Sequence, residues 1–206
     1  MRVLLITELY PPEKGGVARS AQRIVKNLRA AGLTLDVLTC SEKAPHDSED
    51  LAPPFEERDG GIELSVRPQR KKATTLQVLY HNIRRLHRLR SYDLIHGFFG
   101  VPSGYVGTYA ARELMIPSIV SFRGNDIDQV LFDYTSKPFL ADTLRWADAV
   151  SYLSLEMLKR LKIINPLGHY VYIPNSTEFL SVGRMGCQTT KVDALRKKFC
   201  PDSELL

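Results

Sequence analysis

An open α/β fold, with a doubly wound parallel sheet and helices on its faces, follows from three observations in this sequence. The apolar runs are short, β-branched and continuous instead of alternating, as in Val3-Leu4-Leu5-Ile6 and Ile119-Val120. Runs of that kind suit strands buried on both faces. They take turns with segments of helical period, which is the pattern of a parallel sheet joined by crossover helices. Glycine-containing polar loops then follow several of the strands, where such sheets bind their ligands.

The elements follow in chain order. Strands are predicted near 2–7, 33–39, 61–66, 93–97, 117–121, 147–151 and 170–173. Helices are predicted near 17–31, 74–90, 103–115, 136–146 and 153–163. Gly32 closes the first helix, because glycine tolerates the left-handed conformation of a C-cap. The acidic, proline-rich stretch from Glu42 to Asp59 reads as a long surface loop. In the helix from Thr74 to Arg90, Leu76, Leu79, Tyr80, Ile83 and Leu86 share one face. Pro117 is placed to open a strand, not to occupy its centre.

A chain of 206 residues is expected to form one large domain with a sizeable core. Its charged and apolar fractions are those of an ordinary globular protein. No apolar run approaches the length of a membrane span. The N-terminal apolar stretch ends at Glu8 and is followed by Pro11-Pro12, unlike a secretory signal. Cys40, Cys187 and Cys200 are odd in number and lack C-x-x-C spacing. They are expected to be inert thiols in a reducing, cytoplasmic setting, not disulfides or zinc ligands. The net charge of +5 is local: eight Lys or Arg residues and no acid lie between Arg67 and Arg90, so the remainder of the chain is net acidic.

The strand ends carry the candidate site. Lys14-Gly15-Gly16 lies between the first strand and the first helix. A glycine pair there lets a ligand approach the backbone, and the helix start directs N–H groups and partial positive charge at it. A phosphate or polar sugar suits that place. The spacing is neither G-x-G-x-x-G nor G-x-x-x-x-G-K-[ST], which argues against a nicotinamide or flavin cofactor and against a Walker-type loop. His96 ends the strand Asp93-Leu94-Ile95-His96-Gly97 and is the candidate catalytic residue, with hydrogen bonding to a substrate hydroxyl favoured over proton transfer. Arg123, Asn125 and Asp126 surround Gly124 after the next strand; they offer a guanidinium, an amide and a carboxylate to sugar hydroxyls or a phosphate.

These segments, in this order, resemble glycosyltransferase family four. Ala147-Asp148-Ala149-Val150-Ser151-Tyr152-Leu153-Ser154 and Ile173-Pro174-Asn175 fit the same series. The chain departs from the family at Arg123-Gly124, where His-Gly is usual, and at Asn175-Ser176-Thr177-Glu178, where Asn-Gly-Val-Asp is frequent. The resemblance implies a Rossmann-like domain forming one half of the two-domain GT-B fold. Residues 1–189 would be the N-terminal, acceptor-side domain, and 190–206 a hinge segment leading to a second domain that carries most of the donor contacts. It also implies transfer of a sugar, with retention, from a nucleotide sugar to a glycan or lipid-linked acceptor. Lys14, Gly15 and Gly16 would face the donor phosphate or sugar, with His96 holding the transferred sugar and Arg123, Asn125 and Asp126 on the acceptor or sugar. This half alone would be inactive. No cofactor is expected, metal ions are not usual for the fold, and no Asp-x-Asp is read as a metal site.

His81, Arg84, Arg85 and Arg88 fall within an arc of about 100° on the polar side of the 74–90 helix. Arg84, Arg85 and Arg88 are the candidate contacts to an anionic membrane surface at the inner face, where each cation contributes about 1 kcal/mol. Nucleic acid is not an expected partner, since aromatics are not interleaved with the basic residues. Two other functions fit the same sequence: a sugar-nucleotide epimerase of this fold, and a non-catalytic module that binds anionic lipid.

Overall fold

A computed structural model describes residues 1–44, 56–58, 60–124 and 126–175. The compact unit runs from Met1 to Pro174. The expected domain end at 189 and the hinge segment 190–206 lie outside the described residues, as do Cys187 and Cys200.

Eight strands form one sheet among the described residues: β1 (Arg2–Thr7), β2 (Thr34–Cys40), β3 (Glu56–Arg58), β4 (Gly61–Val66), β5 (Leu94–Phe98), β6 (Ser118–Ser121), β7 (Ala149–Tyr152) and β8 (Tyr170–Tyr172). Their order is β3-β4-β2-β1-β5-β6-β7-β8. Every neighbouring pair is parallel except β3–β4, which is antiparallel. Strand β3 corrects the reading of 42–59 as loop throughout. Its sequence Glu56-Glu57-Arg58 carries no strand pattern, and pairing with β4 alone makes it a strand.

The helices are α1 (Gly16–Ala30), α2 (Lys72–Arg90), α3 (Tyr105–Leu114), α4 (Asp126–Leu131), α5 (Lys137–Trp146) and α6 (Leu155–Ile164). One π-type turn, Gly100–Gly104, leads into α3. Neither that turn nor the six-residue α4 has a counterpart in the sequence reading. As expected, Gly32 follows α1 with φ +86° and donates its N–H to the carbonyl of Arg29 at 2.9 Å.

Alternation along β1 sorts the two layers. Leu4 and Ile6 pack with α2 and α3, whereas Val3 and Leu5 pack with α1. All four are at most 2% exposed, which is why this run is continuous and not alternating. A third cluster joins Val120 and Val150 to α4, α5 and α6. Close approach fixes the joint between β5 and the π-type turn. A Cβ on Gly97 would stand 2.5 Å from the Cα of Gly104, so the turn can lie directly on the strand.

Among the described residues, one charge lies inside the sheet. Asp36 of β2 is fully buried and accepts from the Tyr92 hydroxyl at 2.8 Å and the Ile62 N–H at 2.8 Å. Arg90, the last residue of α2, donates to it through Nε at 3.2 Å. Arg90 therefore serves the fold and is not part of an open basic face. Burial, with Asp36 alongside, pushes the Tyr92 hydroxyl pKa up, so it remains a donor.

Candidate active site

The carboxyl ends of the parallel strands form one rim, and most of the predicted site residues lie along or just below it. The β1–α1 loop approaches the end of β5 because Tyr10 and Val17 pack in the same cluster as Phe98 and Phe99. The Ser41 hydroxyl, just past β2, donates to Glu13 Oε1 at 2.9 Å and ties that loop down. Lys14, Gly15 and Gly16 are exposed. Gly15 caps α1 with φ +146° and ψ 164°, a conformation open essentially to glycine alone. A Cβ on Gly15 or Gly16 would meet nothing within 4 Å. The first turn of α1 carries no acid and receives no side-chain cap from Gly15, so its N-terminal N–H groups are left to other acceptors.

His96 and Arg123 flank one ring. The Arg123 guanidinium lies over Phe98 at 5.2 Å, and His96 meets the same ring edge-on at 6.4 Å. His96 lies on the same strand face as Leu94 and Phe98, towards α1. Its Nε2 is 2.8 Å from the Ser121 hydroxyl, which accepts from Ser151 at 2.7 Å. Ser121 thus bridges His96 and Ser151, and this run of hydrogen bonds holds the imidazole in one orientation. Burial, and then the Arg123 charge, lower the His96 pKa from 6.5 to about 4. The ring is neutral at pH 7 and suited to hydrogen bonding, not to general-acid work.

That shift carries a pH signature. The unfolded chain binds the His96 proton near 6.5, and the folded chain only near 4. The resulting stability is complete above about pH 6.5 and is lost as pH falls towards 4. Melting temperatures between pH 7 and 4.5 should therefore fall more steeply for the wild type than for His96→Gln. Parallel curves would show that His96 is not held neutral.

Asp126 opens α4, and Asn125 lies outside the described residues. Asp126-Ile127-Asp128 has Asp-x-Asp spacing, and Asp128 pairs with Arg160 of α6. Arg84, Arg85 and Arg88 are not brought to the rim, because they lie in the second half of α2, which runs from the carboxyl end of β4 towards the amino end of β5. Arg84 pairs with Glu113 of α3 at 3.5 Å, whereas Arg88 is exposed. Burial, then the Glu8 charge, push the Cys40 thiol up to about 12, which leaves it unreactive at neutral pH.

One rim residue gave no signal in the sequence. Phe99 adopts φ 95° and ψ 150° where β5 gives way to the π-type turn. Its N–H donates to the Ser121 carbonyl, and its own carbonyl accepts from Gly104. Such backbone strain in a non-glycine residue costs on the order of 1–3 kcal/mol and clusters at functional sites. A glycine there would have flagged it.

Residues 15–176 match the family described as "Glycosyl transferase 4-like domain". A GDP-mannose-dependent alpha-mannosyltransferase of Mycolicibacterium smegmatis is 30% identical over 127 residues, covering 60% of this chain and 32% of that protein. The chain thus matches about a third of the length of this curated relative. Among solved structures, sucrose-phosphate synthase from Thermosynechococcus elongatus superposes with a TM-score of 0.65 at 18% identity, over 85% of this chain and 48% of that one. Anabaena Alr3699/HepE in complex with UDP-glucose superposes with a TM-score of 0.61 at 16% identity, over 96% of this chain and 49% of that one. At such identities the two structures establish the shared fold, a Rossmann-like α/β domain of the GT-B kind.

Proposed function

Because the chain belongs to the glycosyl transferase 4-like domain family, we propose that it is the acceptor-side half of a retaining glycosyltransferase acting on a nucleotide sugar. The observation that carries this reading is the family match itself, which runs from the Gly15-Gly16 loop through the strand-end rim. The mannosyltransferase relative makes GDP-mannose the first donor to test. The acceptor is a glycan or a lipid-linked sugar, and a second domain supplies most of the donor contacts.

Each rim group has a task in this reading. Negative charge grows on the leaving diphosphate as the anomeric carbon loses it, and prearranged N–H donors and cations stabilise that charge. The N-terminal N–H groups of α1, reached across Gly15 and Gly16, and the Lys14 ammonium supply them. Arg123, Asn125 and Asp126 receive acceptor or sugar hydroxyls. Neutral His96, oriented by Ser121, hydrogen-bonds a hydroxyl of the transferred sugar.

The test uses the native protein, sugar-labelled GDP-mannose and a membrane-lipid or glycan acceptor fraction. Label should move to the acceptor, with the anomeric configuration of the donor kept, and only when the acceptor is present. Inversion at the anomeric carbon would contradict retention. An epimerised nucleotide sugar formed without acceptor would replace transferase by epimerase.

A further inference from the structure

The helices α2, α3 and α5 share an aromatic surface that the rim does not use. Tyr80 of α2 meets Tyr109 of α3 edge-on at 5.6 Å. Tyr109 lies 5.9 Å from Trp146 of α5, and Tyr105 lies 4.7 Å from Phe139 and 6.1 Å from Trp146. These rings do not form a closed core. Tyr109 is 46% exposed, and the other four are half-buried.

Arginines frame the rings. Arg84 lies over Tyr80 and Arg112 over Trp146, each at 5.7 Å. Arg88 and Arg145 stand exposed on the same helices. The neighbouring acids are Glu113, paired with Arg84 and Tyr80, and Asp142, which raises the Tyr105 pKa after the larger effect of burial.

We propose that this tyrosine–tryptophan–arginine surface of α2, α3 and α5 docks the protein on a bilayer containing anionic lipid. Rings with an apolar body and a polar tip favour the headgroup level of a membrane. The arginine stems cover apolar surface while their heads meet lipid phosphate. Charge complementarity selects this occupant: Arg84, Arg88, Arg112 and Arg145 outnumber the acids Glu113 and Asp142 on this surface. Helix α3 is about 15 Å long and begins at the carboxyl end of β5, so docking here places the rim close to the headgroups. The inference does not depend on which sugar is transferred, or on transfer at all.

The chain has a single tryptophan, and it lies in this surface. Trp146 emission should shift to the blue when the native protein meets phosphatidylglycerol-containing vesicles at low salt, and not with pure phosphatidylcholine. Raising salt from about 50 mM to about 500 mM should reverse the shift. Arg84→Gln with Arg88→Gln should weaken vesicle co-sedimentation about tenfold or more, with an unchanged melting temperature. No emission change and no co-sedimentation with anionic vesicles at low salt would overturn the proposal. So would a shift that depends on protein concentration without vesicles, which would make the surface a contact between copies of the chain.

Discussion

Asp36→Ala should lower the stability of the domain by about 3 kcal/mol. Removing one partner of a buried ion pair costs about 3–5 kcal/mol. The lower end applies because the Arg90 side chain keeps 26% of its surface exposed and finds water when its partner is lost. The Ile62 N–H and the Tyr92 hydroxyl have no such recourse, as both are buried donors aimed at Asp36. An unsatisfied buried donor costs about 1–3 kcal/mol. For a domain of this size the melting temperature should fall by about 6–12 °C. Asp36→Leu combined with Arg90→Met should recover part of the loss, because neither change then leaves a buried charge unpaired. A melting temperature of Asp36→Ala within about 2 °C of wild type would show that the cluster does not hold α2 against β2 and β4.

Gly16→Val should fold normally and cripple the site. Nothing lies within 4 Å of a Cβ at this position, and valine in a first helical turn costs well under about 1 kcal/mol. The isopropyl group would occupy the space before the α1 N–H groups. If the donor diphosphate or sugar is held there, kcat/KM of the native protein should fall about tenfold or more, the scale on which a lost oxyanion donor acts. Gly15→Ala is a poorer probe, because φ +146° makes any side chain strain the loop itself. Unchanged kinetics in a well-folded Gly16→Val protein would remove the β1–α1 loop from the donor site.

The sheet was readable where burial is two-sided. Val3 to Ile6 could only be a central strand, and the structure pairs β1 with both β2 and β5. Elements defined by their neighbours were not readable. Strand β3 is three charged residues made regular by β4, and α4 is too short for its period to be recognised. The site divides in the same way. The glycine pair at 15 and 16 announced the unusual backbone that Gly15 adopts, whereas the strain at Phe99 is carried by an ordinary aromatic residue. Arg84, Arg85 and Arg88 read as one basic arc, with Arg90 only the end of the same basic stretch. Folding commits Arg90 to Asp36 and Arg84 to Glu113, and leaves Arg88 exposed. The aromatic surface emerges only when α3 and α5 meet, since Tyr109 and Trp146 are distant in sequence.

If the proposed function holds, the strand-end rim receives a nucleotide sugar. Amide hydrogen exchange of the native protein, with and without GDP-mannose and then a panel of other nucleotide sugars, tests it most directly. A bound donor should slow exchange in residues 13–18, at the start of α1, and leave the outer face of α2 unchanged. Turnover of a nucleotide sugar with no protection in residues 13–18 would contradict the account and place the donor elsewhere.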